Sequence, residues 1–405
     1  MYDYIIIGGG IVGVSTAWQL RLRQPDKRIL LLEKEAQFAQ HQSGHNSGVV
    51  HAGIYYEPGS LKARLCKQGL DDTLAFCREY DLPFEQCGKL LVATNALELE
   101  RMQALYQRAC DNGLEAELLD AEQLHRCEPH VAGLGAIRLK STAIVDYPQI
   151  CQKMVERFTE LGGEVRLNTE LIGLEERSDQ IRVTTRVANS FSETEQGRFL
   201  ICCCGLMADR TTRMLGIKTD FQIVPFRGEY YQLPPSRNNI VNHLIYPIPD
   251  PELPFLGVHL TRMIDGSITV GPNAVLGWKR EGYGRVNVNL RDVWEMLRFP
   301  GFWKLATSHF KTSLAEYHDS LFKRGYLERV RKYCPELQLS DLQPYPAGIR
   351  AQAVLKDGSL VHDFLFAESQ RSLHVCNAPS PAATSAIPIG DYICSKLAQK
   401  TAGID

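Results

Sequence analysis

The residues best placed to do chemistry begin at the amino terminus. Gly8, Gly10 and Gly13 form G-x-G-x-x-G, and Glu33 follows twenty residues after the last of them. Each has a task in holding a dinucleotide. Gly8 permits a tight turn, Gly10 lets the backbone approach a pyrophosphate, and Gly13 lets a helix lie close on a strand. The first-turn amides of Ile11, Val12 and Gly13 would face the phosphates, with the positive end of the helix dipole behind them. Glu33 stands where a carboxylate would hold the hydroxyls of an unphosphorylated adenosine ribose, which points to FAD or NAD rather than NADP. The next segment, His41 to Tyr56, is no third hydrophobic strand but a run of small and polar residues. Such a loop can pass its backbone under a flat buried ring system, so FAD is the expected cofactor. His41, His45 and His51 share the loop, yet it holds no carboxylate or thiol to complete a ligand set, and no metal is expected.

These residues need elements to position them. Tyr4 to Ile7 is an apolar run of buried-strand type, and Ile29 to Leu32 is a second. Between them Ile11, Val14, Ala17 and Trp18 recur at helical spacing until Pro25. Helices are expected over 60–79, 97–112 and 149–161, and strands at 88–93, 164–168 and 199–204, with a return to helix near Ala208. Residues 221–275 alternate in β fashion around a stiff loop, 246–255, that holds Pro247, Pro249, Pro251 and Pro254. Residues 289–333 read as helical and aromatic. Near the end, Ser380 as cap and Pro381 in the first turn predict a helix whose N-terminus would stabilise negative charge on a reduced flavin. The fold class expected is α/β: a Rossmann-like FAD-binding domain with a parallel sheet, and an interleaved α+β substrate domain with a mostly antiparallel sheet. The FAD-binding part is expected at 1–84, 146–219 and 344–405, and the substrate part at 85–145 and 220–343.

Composition bounds the rest. Hydrophobic residues make up 44% of the 405, enough for sizeable cores and too many for a disordered chain. Basic residues number 45 against 47 acidic, so no general positive field exists to hold nucleic acid. Apolar runs reach about half of the roughly twenty residues that a membrane span needs. No basic leader precedes the first strand, and a cytoplasmic location is expected. Twelve cysteines occur without a C-x-x-C pair, three of them consecutive at 202–204, which suits reduced core residues rather than bridges.

The strings IIIGGGIVG with Glu33, LICCCGLMADR and PAGIRAQ resemble the D-amino-acid-oxidase-like, glutathione-reductase-type group of FAD-dependent oxidoreductases. Longer strings are more specific: GHNSGVVHAGIYYEPGSLKARLC, PFRGEYYQL, HLIYPIPDPELPFLGVHLTR, DGSITVGPNAV and NAPSPAATSAIPIG. These are similar to the L-2-hydroxyglutarate dehydrogenase/oxidase family within that group. The resemblance implies oxidation of the hydroxyl carbon of a 2-hydroxy dicarboxylate, L-2-hydroxyglutarate, to 2-oxoglutarate. Electrons would pass through flavin to a membrane quinone or to dioxygen. An amino-acid or amine oxidase of the same group, or a flavin-binding module without turnover, are the alternatives.

That chemistry needs cations for the carboxylates and a base for the hydroxyl proton. His51 and His259 are both candidate bases, as neutral imidazoles. Arg350, Arg262 and Arg227 are candidate carboxylate clamps, because a guanidinium makes paired hydrogen bonds. Tyr230, Tyr55 and Tyr56 are candidate pocket hydroxyls. For the cofactor the resemblance adds Lys34, Ser43, Gly44, His45, Asn46 and Ser47 to the amino-terminal turn. It also adds Val165, Gly205 and Gly348, together with Ser380, Ala382, Ala383 and Thr384. Finally, from Arg291 to Tyr333 nine Lys/Arg stand against five Asp/Glu. Trp294, Phe299, Phe302, Trp303, Phe310, Phe322 and Tyr326 are interleaved with them. This pattern suits weak docking of a peripheral protein on anionic lipid, at the cytoplasmic face of an inner membrane.

Overall fold

The structure is a computed structural model that describes residues 1–188, 191–250, 257–284, 287–308 and 323–401. Its first sheet grows from the two apolar runs at the amino terminus. Tyr2–Ile7 lies parallel to Ile29–Leu32 on one side and to the end of Phe191–Cys202 on the other. Glu164–Arg166 extends the sheet beyond Ile29–Leu32, and Ser372–Asn377 pairs in parallel beyond Cys202. All four residues of Ile29–Leu32 are buried, as expected of a parallel strand covered on both faces. The helix Ile11–Arg23 lies on one face with Ala386–Thr401 and Tyr147–Glu160 packed against it. A three-stranded antiparallel extension, Thr169–Glu176, Ile181–Val187 and Phe191–Cys202, projects from the sheet.

The second sheet is mostly antiparallel. Its order runs from Val275–Leu276 through Phe221–Gln232, Ile268–Gly271, His259–Arg262, Leu244–Pro247, Lys89–Ala93 and Gly135–Leu139 to Ala116–Asp120. Gln343–Leu355 pairs along Phe221–Gln232. The strand Gln343–Leu355, grouped from residue 344 with the FAD-binding part above, is therefore hydrogen-bonded into the second sheet. Ser372–Asn377 makes the return to the first. A small third sheet, Val49–Val50, Ala143–Val145 and Phe84–Glu85, lies where the loop after Glu33 meets the helix Leu61–Glu79.

Local expectations hold at most elements. Ser60 caps Leu61–Glu79 by accepting from the Ala63 amide at 3.2 Å, and Asn95 caps Ala96–Asp111. Two expectations shift. The segment expected as loop from Tyr246 is still strand through Pro247, while Pro251, Pro254 and Phe255 lie outside the described residues. The last helix starts at Ala386, not near Ser380. Residues 381–385 form a separate turn in which the Ser385 amide reaches the Pro381 carbonyl at 3.1 Å, and Ser385 accepts the first helical bond from Ile389. Thr384 does not behave as a helical residue because its hydroxyl is bonded across to the loop at Val49–His51. All twelve cysteines are free, and seven are buried.

Candidate active site

The strand Tyr2–Ile7 delivers the chain into a turn that only glycine satisfies. Gly8 has φ of +110°, and a Cβ there would run into the Cys203 carbonyl. A Cβ on Gly13 would run into the carbonyl of Gly8, so helix and strand touch backbone to backbone. Gly10 occupies the cap position without a side chain to cap with, and the hydroxyl of Ser43 accepts from the Ile11 amide at 2.9 Å instead. Glu33 is buried, its two carboxylate oxygens accepting from the amides of Gly9 (2.5 Å) and Glu35 (2.8 Å). A carboxylate has about four acceptor sites, so these bonds fix its position and leave lone pairs for diol hydroxyls. Val165 stands in register with Leu31 at the edge of this turn. Gly205 has φ of +48°, and a Cβ on it would come 3.0 Å from the amide nitrogen of Gln42.

The Lys34 side chain is engaged beside the turn: its ammonium is ion-paired with Glu281 and lies 3.4 Å from Glu35, so it bridges two carboxylates. His41 joins the same group, 2.9 Å from Glu35 and 3.5 Å from Glu281. The loop alone suggested a histidine without carboxylate company; the fold brings company from outside it. Their ligand atoms all lie within 4.8 Å of one another, but the Lys34 ammonium already supplies the positive charge that a metal would bring.

From Ser43 the loop closes on itself. A Cβ on Gly44 would run into the Ala39 carbonyl. Asn46 donates to the carbonyls of Gln42 (3.2 Å) and Ser43 (2.7 Å) and accepts from the Gly48 amide (2.8 Å), a side-chain clasp around Ser47. His45 stacks on Tyr283 with ring centroids 3.9 Å apart. Gly348 faces this loop, and a Cβ on it would come 2.8 Å from the His45 carbonyl oxygen. At the far end the Thr384 hydroxyl accepts from the His51 amide at 3.1 Å and bonds the Tyr147 hydroxyl at 3.1 Å. Ala382 and Ala383 pack on the neighbouring core, and the Ser380 carbonyl accepts from the Tyr56 hydroxyl at 3.5 Å. Close contacts therefore link a helix N-terminus and a fixed carboxylate to Gly348 and Thr384, several of them backbone approaches that a Cβ would obstruct. The arrangement fits a dinucleotide with an attached ring system.

The second group of residues lies where this arrangement meets the second sheet. Lys62, Lys89, His259 and Arg350 all lie within electrostatic reach of His51. Burial, with the Lys89 charge next, pushes the His51 pKa well below the ordinary value. Burial likewise lowers His259 to about 3, and its Nδ1 donates to the Gly257 carbonyl at 2.9 Å, which leaves Nε2 as an acceptor. Its ring stacks on Tyr246 at 3.8 Å. Both imidazoles are neutral near pH 7. Burial lowers Lys89 to about 7 and, with the Arg350 charge, Lys62 to about 8. Arg350 is exposed at the edge of the group, where the surrounding protein lowers its pKa while Tyr230 and Tyr56 oppose the shift. Burial raises Tyr230 to about 12. Among the described residues no carboxylate forms an ion pair with Lys62 or Lys89. The group is a neutral-imidazole, cationic and phenolic pocket.

Two of the expected arginines lie elsewhere. Arg262 donates to the Asn242 carbonyl at 2.9 Å and pairs with Glu85 at 3.1 Å, so its fork is spent on joining segments of the second sheet's surround. Arg227 is held by the carbonyl of Gly282 (3.1 Å), by that of Gly284, and by Glu229 (3.4 Å). Lys89 and Lys62 were missed. Lys89 opens an apolar strand, and only its place inside the second sheet shows that its charge is buried.

The fold and this group of residues define a class, the dinucleotide-dependent redox enzymes. The chain belongs to the FAD dependent oxidoreductase family, whose model matches residues 3–396. It is 54% identical over 397 residues to L-2-hydroxyglutarate dehydrogenase of Escherichia coli (strain K12), covering 98% of this chain and 93% of that one. It is 42% identical over 412 residues to the mitochondrial L-2-hydroxyglutarate dehydrogenase of Homo sapiens, covering 98% and 89%. Among solved structures, the FAD-bound L-alpha-glycerophosphate oxidase of Mycoplasma pneumoniae superposes with a TM-score of 0.76 at 22% identity, over 96% of this chain and 93% of that one. Glycine oxidase of Geobacillus kaustophilus gives 0.71 at 16% identity, over 98% and 95%. The protein is an FAD-dependent oxidoreductase.

Proposed function

We propose that the chain oxidises L-2-hydroxyglutarate to 2-oxoglutarate. The observation that carries this reading is the group of residues itself, which gathers three cations and two neutral imidazoles, with no carboxylate among the described residues paired with either lysine. An anionic substrate suits it, and the ammonium of an amino acid does not. Bound FAD supplies an acceptor for the hydrogen and electron pair of the substrate C–H bond. Arg350 takes the carboxylate beside the reacting carbon, because its guanidinium makes two parallel bonds there. His51 accepts the hydroxyl proton: its backbone is pinned by Thr384 and Cys66, its ring is partly open, and its neutral form has a free lone pair. His259, more deeply buried and with its tautomer set by Gly257, accepts a hydrogen bond at Nε2 and orients the hydroxyl.

Anaerobic addition of L-2-hydroxyglutarate should bleach the oxidised flavin band at about 450 nm. The D-isomer and amino acids should leave it. Bleaching by an amino acid alone would replace this reading with the amino-acid oxidase one, and no bleaching by any of them would favour a module without turnover.

The finer reading is that electrons leave to a membrane quinone from a protein docked on anionic lipid, at the cytoplasmic face of an inner membrane. No described helix is long and apolar enough to cross a membrane. The support is a surface on Leu290–Arg298 and Pro300–Ser308, where Leu290, Trp294, Leu297 and Trp303 are exposed.

A further inference from the structure

Lys89 is the first residue of an interior strand, opposite Leu244 on one side and Leu139 on the other, and only 2% of it is exposed. Taking an ammonium out of water is costly unless an anion meets it. None does among the described residues: the Lys89 ammonium lies 3.7 Å from the ring centroid of Tyr246 and 4.7 Å from that of Tyr55, and it makes no hydrogen bond or ion pair. The hydroxyl on the Tyr55 ring is buried without a partner. Buried polar groups are ordinarily satisfied, so a hydroxyl without a partner near an ammonium met only by aromatic faces marks a place for a ligand atom. Lys62 differs, since it is only half-buried and sits 4.5 Å over the ring of Tyr56.

We propose that Lys89 binds the second carboxylate of the substrate, with the Tyr55 hydroxyl as its hydrogen-bonding neighbour, and so selects a dicarboxylate over a monocarboxylic 2-hydroxy acid. The inference rests on the reading of the reaction given above and assigns its substrate class to one residue. Arg350 matches the charge beside the reacting carbon, and Lys89 matches the distal one. A substrate with a methyl group in place of the distal carboxylate would leave the ammonium buried and unmet, which is how a polar site rejects an analogue that lacks its partner.

The test compares L-2-hydroxyglutarate with L-2-hydroxypentanoate on the FAD-loaded full chain, as wild type, Lys89→Met and Lys89→Arg. The ratio of kcat/KM for the two acids should fall about 100-fold in Lys89→Met and be largely restored in Lys89→Arg. By calorimetry, glutarate should bind the wild type at least about tenfold more tightly than pentanoate, with the difference gone in Lys89→Met. An unchanged ratio in an FAD-loaded Lys89→Met protein would assign Lys89 a purely structural role and overturn the proposal. Should that variant not fold, equal binding of glutarate and pentanoate to the wild type overturns it as well. A wild type that prefers glutarate yet oxidises neither hydroxy acid would sink the reaction and leave the carboxylate site standing.

Discussion

A buried imidazole and a buried ammonium respond to pH in opposite functional senses, and both occur in one pocket. Burial holds the His51 pKa well below its ordinary value, so its base form persists as the solution is acidified. The acid limb of kcat should therefore fall well below the pKa of about 6.5 of a free imidazole, and the rate should stay flat across the neutral range. Replacing His51 with Gln should lower kcat by about 10²–10⁴ while glutarate still binds, as stopped-flow reduction and calorimetry would show. Loss of binding in parallel with the rate would instead make His51 a structural support. Lys89 has the opposite sense. Its ammonium faces Tyr55, Tyr246, Cys66, His51 and His259, none of them a carboxylate, and burial brings its pKa to about 7. A charged clamp is then lost as pH rises through about 7, so KM for the dicarboxylate should climb between pH 7 and 9 while KM for L-2-hydroxypentanoate does not. Parallel curves for the two acids would show that Lys89 does not meet the distal carboxylate.

Whole elements carry those side chains, and two contacts between elements can be tested directly. Gly348 brings the strand Gln343–Leu355 against the loop carbonyl of His45, and an added Cβ would stand only 2.8 Å from that oxygen. Gly348→Ala must displace the loop that holds Asn46 and His45, so retention of FAD should weaken by about tenfold, read from the ratio of flavin to protein absorbance after dialysis. Arg280 is 2% exposed, pairs with the buried Asp209, donates from its side chain to the Leu206 carbonyl at 2.9 Å, and donates its own amide to the Asp292 carboxylate at 2.8 Å. Arg280→Met would leave the Asp209 charge buried with little to meet it, at a cost of about 3–5 kcal/mol, seen as a lower urea midpoint with an unchanged slope. An unshifted midpoint would show that water or Arg213, 2.8 Å from Asp209, takes over. Neither contact was legible in the chain, and the reason is range. The turn at Gly8 to Gly13 and its Glu33 could be read because strand, helix and carboxylate lie within one local unit. Lys89, Arg262 and Arg280 take their roles from partners on other strands, so residue type and spacing gave no sign of which cation would be buried and unmatched. The same distance effect moved the last helix, whose expected cap at Ser380 ignored the bond that draws Thr384 to the amino-terminal loop.

At the scale of the molecule the charges nearly cancel, so attraction to a membrane must come from a local surface. The helices Leu290–Arg298 and Pro300–Ser308 divide their residues by face. Phe299 and Phe302 are buried against the second sheet, as is Tyr326 further on, and these correct the expectation that the aromatics as a set face outward. Phe310 and Phe322 lie outside the described residues. Trp294 and Trp303 are 57% and 54% exposed, and Leu290 is 83% exposed. The acidic residues of this stretch turn inward: Asp292 and Glu295 both pair with Arg210. Arg298 stays outside, over the ring of Trp294 at 4.5 Å. Indole rings with basic residues beside them and the carboxylates withdrawn make a surface suited to the interfacial region of an anionic bilayer. The protein should float with vesicles containing phosphatidylglycerol at low salt and stay at the bottom with neutral phosphatidylcholine vesicles. Trp294→Ser combined with Trp303→Ser should abolish flotation without slowing reduction of the flavin by substrate, because both rings are exposed and neither belongs to the group around His51. If lipid matters because a quinone waits there, the same double variant should slow turnover with membrane-embedded quinone and leave turnover with a water-soluble acceptor unchanged. Flotation that persists in the double variant, or a wild type that ignores anionic vesicles, would remove this surface from the electron route and leave dioxygen or a soluble carrier to take the electrons.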